Sequence, residues 1–155
     1  MDPGKAVATG GDAAQRFVED EEGASHRLSG VAAGFAFAAA VIMSLFHLYA
    51  AYGIVPAAVL RPVHVGFVLA LAFLSFPALA RMRDRLHWWD WALSAVAVAA
   101  TAYILAGGDA FADRATTPNA MDMVAGVALI VLVLEAVRRA SGWIMPAVVM
   151  GFIAY

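Results

Sequence analysis

Residues 61–85 read RPVHVGFVLALAFLSFPALARMRDR, and the fold follows from how this stretch is read. Between Arg61 and Arg81 there is no Asp, Glu, Lys or Arg, an uncharged run of 19 residues. A helix of that length rises about 28 Å, enough to cross the hydrocarbon core of a bilayer. The run therefore predicts a membrane span. Its ends are unequal, with Arg61 alone at one and Arg81, Arg83 and Arg85 at the other. Cytoplasmic flanks collect Lys and Arg, so the Arg81–Arg85 end is expected to be cytoplasmic, and the other apolar segments are oriented against it.

The composition agrees. Hydrophobic residues make up 63% of the chain, charged residues 14%, and the mean hydropathy is +0.79, far from the mix of water-soluble domains. The 155 residues leave room for about four spans with short loops in one membrane domain. With no cysteine, disulfides, thiolate ligands and cysteine nucleophiles are excluded. A net charge of -2 without a basic arm provides no footprint for nucleic acid.

Outward from the central span, residues 1–26 form an acidic tail containing Glu19-Asp20-Glu21-Glu22, with a short surface helix expected over 15–22. The start is neither basic nor apolar enough for a signal peptide, so the N-terminus is expected to be retained. Residues 28–55 predict the first span. Its small residues Gly30, Ala33, Gly34 and Ala38 favour close helix approach, and Phe46, Tyr49 and Tyr52 load its far end with interfacial rings. In the central span Pro77 is expected to kink the last turn. The third span follows His87-Trp88-Trp89-Asp90-Trp91 and runs to Gly108, and residues 109–119 predict a polar external loop. The fourth span, 121–137, exits at Glu135, Arg138 and Arg139, where Glu135 can pair with either arginine along one helix face. Near the span ends, Arg16, Arg27, Arg81, Arg83, Arg85, Arg138 and Arg139 fall on the inner side against Arg61 and Arg114 outside, which predicts a cytoplasmic N-terminus. Residues 27–140 thus form a four-helix membrane domain, and 141–155 read as the truncated fifth helix of a further region.

Few side chains in the spans carry chemistry. His47 lies inside the first span and His64 near the outer end of the second, so two histidines approach the same leaflet. Such a pair can ligate a haem iron or a metal; the plain alternative is that each bonds to a neighbouring helix or lies in the interface. Gly107-Gly108-Asp109 lacks the Gly-Lys-Ser/Thr of a phosphate loop. Ser44, Ser75, Ser94 and Thr101 fit helix packing better than nucleophilic roles. The spans show little of the broken helices, buried carboxylates and matched Gly/Pro breaks that mark a solute path. They read as an anchored bundle supporting another component, with no enzymatic activity and no metal or cofactor site in the chain.

The order of several marks is similar to one family. They are FVEDEEGASHRLSG (17–30), SLFHLYAAYG (44–53), Arg61-Pro62-Val63-His64 with Leu74 and Pro77, Asp90-Trp91, Tyr103, Asp113-Arg114 with Pro118 and Asp122, and LEAVRRASGW (134–143). In these the chain resembles the N-terminal part of the fused permeases of tripartite ATP-independent periplasmic (TRAP) transporters of the TAXI type. The departure is Ala115-Thr116 after Arg114, where the pattern has a glycine. The resemblance implies the scaffold portion of a secondary active symporter in the bacterial inner membrane, driven by sodium. It would receive organic acids from a periplasmic solute-binding protein and be joined to a large permease region in the same chain. It further implies that Arg61, His64, Arg114 and Asp122 face the binding protein, while Glu135, Arg138 and Arg139 form a structural helix-end ion pair. The alternatives are the small four-helix subunit of a tripartite tricarboxylate transporter, a haem or quinone redox protein using His47 and His64, and a membrane-assembly protein.

Overall fold

A computed structural model describes residues 25–26, 28–79, 82 and 85–155. Residues 1–24 of the acidic tail, with the helix expected over 15–22, and Arg16, Arg27, Arg81 and Arg83 lie outside the described residues. The described chain is helical, as its apolar runs predict: α1 (Gly30–Tyr52), α2 (Ala57–Ser75), α3 (Trp88–Asp113), α4 (Ala120–Ser141) and α5 (Ile144–Ala154). The first four, at 23, 19, 26 and 22 residues, are long and apolar enough to cross a membrane. This is a multi-pass membrane protein. The fifth, with 11 residues, is too short to span.

The register of α2 differs from the sequence reading at both ends. Pro56 serves as N-cap, and its carbonyl accepts from the Val59 and Leu60 amides at 2.9 and 3.0 Å. Arg61 and Pro62 thus lie within the helix instead of in a turn ahead of it. Pro62 is close enough to the start that its missing N–H costs a single ladder bond. At the other end Pro77 terminates the helix instead of kinking it. Phe76, the residue before it, is extended at φ -110°, ψ 120°, the region to which a following proline confines its neighbour. The third helix also departs from expectation: Gly108 breaks it at φ +47°, and one further turn runs to Asp113 inside the predicted loop. A left-handed φ of this kind suits glycine.

Consecutive helices run antiparallel. Ser75, Asp90 and Arg139 meet at one end, hereafter the arginine end, and Tyr103, Arg114 and Asp122 at the other. α2 and α3 pack most closely and α4 lies across both. Leu69, Phe73, Ala97, Leu132 and Ala136 make the core, with Val65, Ala72, Leu93 and Leu129 against it. The closest approach is at Gly66, where a Cβ would come within 2.7 Å of Thr101 Oγ1. Thr101 returns its hydroxyl to Ala97 O and Val98 O at 2.9 and 3.1 Å, so it leaves no unpaired polar group between the helices.

α1 is different in kind. It buries no residue and packs mainly on α2, with Phe35 meeting Trp91 of α3 edge-on at 5.5 Å. Most of its expected close-packing face meets no helix among the described residues: nothing lies within 4 Å of a Cβ added at Gly30 or Gly34, Ala38 is exposed, and only Ala33 is half-buried. Phe37, Ile42, Leu45 and Leu48 of α1 face outward, as do Val124, Val127 and Val131 of α4 and Phe152 and Ile153 of α5. In a bilayer these surfaces are matched by lipid tails, so exposure carries no hydrophobic penalty. Tyr49 and Tyr52 project at one end, and Trp88 and Trp143 at the other, at interfacial depth.

Candidate functional site

Among the described residues two carboxylates are buried in the bundle, Asp90 and Asp122, one at each end, and both are built the same way. Each sits at the third position of its helix, closes its own N-cap and holds an arginine.

At the arginine end Asp90 Oδ2 accepts from the His87 amide at 3.0 Å, capping α3. Its Oδ1 accepts from Arg139 Nη1 at 2.6 Å, with both side chains almost fully buried. The same Arg139 Nη1 donates to the Phe76 carbonyl at 3.2 Å, and Nε donates to Glu135 Oε1 at 2.8 Å. The guanidinium also lies over the Phe73 ring at 5.2 Å. Glu135 takes Arg138 as well, through Nε and Nη2, both at 2.7 Å, and Arg138 Nη2 donates on to Ala78 O at 3.1 Å. The arginines therefore satisfy carbonyls that the Pro77 break releases, where no further helical amide is available. His26 Nε2 lies 3.7 Å from Asp90 Oδ2, and the His26 amide donates to Ser75 O at 2.7 Å. One cluster thus ties together α2, α3, α4 and the segment entering α1.

At the opposite end Asp122 and Asn119 cap α4 reciprocally, at 3.0 Å from the Asn119 amide and 2.9 Å from the Asp122 amide. Asp122 accepts from Arg114 Nε at 2.7 Å and Nη2 at 3.1 Å, and from the Tyr103 hydroxyl at 2.7 Å. Arg114 Nη1 returns to Ala110 O at 2.8 Å, which pins the turn after Gly108. The Asp122 carboxylate holds the Arg114 guanidinium still further toward its charged form than is usual for arginine.

The third feature is the histidine pair. His47 Nδ1 donates to Met43 O at 2.7 Å, and His64 Nδ1 lies 2.9 Å from His47 Nε2. With both nitrogens of His47 engaged, the pair offers one open ring nitrogen, Nε2 of His64. The two rings thus do not form a pair of opposed donors of the bis-histidine kind. Among the described residues no group of three His, Asp or Glu converges as a metal-binding set. An apolar groove of about 260 Å³ runs between α1, α2 and α3, lined by Phe35, Ala39, Gly66, Phe67 and Val98 among others.

The sequence-predicted positions are thus arranged differently from one another. Arg61 and His64 are exposed on the first turns of α2, whereas Arg114 and Asp122 face each other and Asp122 is buried. Sequence reasoning missed Asp90 as the partner of Arg139, 49 residues away. The available signal was an acidic residue in the first turn of an apolar span, which needs a cation at the same depth. Tyr103 was missed as a third ligand of Asp122 for want of any local mark.

Chemically, the strong charges of both clamps are saturated by one another. The clamps fix helix positions. Compared with known protein families, characterised proteins and solved structures, this chain matches none.

Proposed function

We propose that this chain is the membrane scaffold portion of a binding-protein-dependent, sodium-coupled secondary transporter of the TRAP type, residing in the bacterial inner membrane with its N-terminus inside. The observation that carries the reading is the saturation of the buried charges. A moving transport element needs polar groups that exchange partners and helices that open at mid-membrane. Here α3 and α4 are tied at both ends by carboxylate–arginine clamps and α2 joins them at the arginine end, while the left-handed break within a described helix, Gly108, lies toward the end of α3. A rigid support fits better. The residues behind the family resemblance include the clamp builders: Asp90, Glu135, Arg138 and Arg139 at one end, Tyr103, Arg114 and Asp122 at the other.

On this reading Arg61 and His64, exposed on the outer end of α2, contact the periplasmic solute-binding protein, while Arg114 and Asp122 shape the adjoining surface by fixing the turn between α3 and α4. Sodium and the organic acid bind in the large permease region. The test is uptake by cells or proteoliposomes carrying the complete transporter with its binding protein. Arg61→Ala with His64→Ala weakens capture of the binding protein without loss of membrane insertion. Unaltered capture and uptake would refute the assigned docking face.

A further inference from the structure

The apolar groove between α1, α2 and α3 lies apart from both clamps. We infer that it is a lipid site: one acyl chain of a membrane phospholipid lies along it, between α1 and α3 with α2 as its floor, and completes the seating of α1.

The groove exists because α1 and α3 both lean on α2 and not on one another. Among the described residues their backbones stay beyond contact distance. α1 is fastened at two heights, by the Phe35–Trp91 ring contact at 5.5 Å toward the arginine end and by the 2.9 Å bond between His47 and His64 toward the other. Along the helix axis Phe35 and His47 are about 18 Å apart. The walls carry small side chains, Ala39 on α1, Gly66 and Ala70 on α2 and Ala102 on α3, so the recess reaches about 260 Å³.

The chemistry of the lining selects the occupant. Thr101 is its polar side chain, and the hydroxyl hydrogen is spent on Ala97 O and Val98 O at 2.9 and 3.1 Å. The lining therefore offers no side-chain donor to a quinone carbonyl or a lipid headgroup. An apolar recess of this kind stays dry and takes apolar ligands, and left empty it forfeits dispersion contact along its walls. The groove is also continuous with the lipid-facing surface: Phe35 and Val98 line it and are 54% and 51% exposed. Entry is sideways from the bilayer, where the species present at mid-span depth is the hydrocarbon chain. A chain enclosed by three helices touches more protein than one on the open faces of α4 or α5, so it exchanges more slowly than the lipid around it. The inference stands apart from the transporter reading, since it concerns the bundle in any protein that contains it.

The test places the full chain in phosphatidylglycerol nanodiscs containing a phosphatidylcholine with a diazirine midway along one acyl chain. After photolysis the adducts are located by peptide mass spectrometry. The expected result is labelling of Phe35, Ala39 and Val98 several-fold above that of the outward residues Phe37, Ile42 and Val127, and resistant to a brief chase with unlabelled lipid. Ala39→Leu with Ala102→Leu fills the groove and abolishes the excess, whereas Ala38→Leu, at an exposed position of α1, leaves it. Equal labelling of groove and outward residues makes the lipid merely annular and overturns the inference. Displacement of the label by an isoprenoid quinone but not by unlabelled phospholipid overturns the choice of occupant. Labelling lost as the ratio of protein to lipid rises gives the groove to a second copy and overturns it too. The wild-type pattern decides even where the filled variant fails to fold.

Discussion

Replacing Asp90 by Asn removes one charge while keeping the shape of the side chain and an acceptor for the His87 amide, so it isolates the pairing with Arg139. That arginine is 7% exposed, and its Nη1 stands 2.6 Å from Asp90 Oδ1. Breaking a buried ion pair by removing one partner costs about 3–5 kcal/mol, chiefly because a charge is left unmatched. Glu135 remains at 2.8 Å from Arg139 Nε, which places the loss toward the lower end, about 3 kcal/mol. Arg138→Ala is the comparison: its pair with Glu135 is partly open to solvent, and such pairs contribute up to about 1 kcal/mol. The two variants are to be unfolded reversibly in mixed micelles with increasing SDS, read by tryptophan fluorescence. A third variant, Asp90→Asn with Arg139→Met, removes the stranded charge and recovers most of the loss. Equal stabilities for Asp90→Asn and Arg138→Ala, or a double variant weaker than Asp90→Asn alone, would refute the assignment of Asp90–Arg139 as the principal tie.

Three further outcomes are expected. Gly66→Ala places a methyl group 2.7 Å from Thr101 Oγ1 and destabilises by about 1–3 kcal/mol through overpacking; Thr101→Ala relieves most of it in a double-mutant cycle, and additive effects would place the contact elsewhere. Asp122→Ala, unlike Asp122→Asn, speeds hydrogen exchange at the Asn119 amide, because only the asparagine keeps an acceptor for it; equal exchange in both would deny Asp122 its capping role. Since the chain has no cysteine, a single Asp113→Cys is labelled by a membrane-impermeant maleimide on intact cells and Ser141→Cys is not; the reverse pattern would invert the proposed topology.

The spans were legible because the bilayer writes them into the chain as long uncharged runs, and the four-helix bundle follows from those runs and their short connections. The ends of α2 were less legible. A proline beside an arginine reads as a turn, yet Pro56 upstream supplied the cap and left Pro62 inside the helix. Pro77 read as a kink because its own constraint was weighed and the constraint on Phe76 before it was not. The contact between Glu135 and the two arginines is local and could be read at helical spacing, whereas Asp90–Arg139 and Tyr103–Asp122 join helices and required their relative placement. The weak seating of α1 had no mark in the sequence, since its small residues suggest close packing, yet Gly30 and Gly34 meet no helix among the described residues.

The central claim, that this bundle is the scaffold of a sodium-driven organic-acid transporter, is tested most directly by uptake. Cells with the gene deleted, restored, or restored with Asp90→Ala and Arg139→Ala are assayed with a panel of labelled mono-, di- and tricarboxylates, with and without a sodium gradient. The account predicts sodium-dependent uptake of at least one acid that is lost on deletion, regained with the wild-type gene and not regained with the clamp variant. Uptake of the whole panel unchanged by deletion would contradict it.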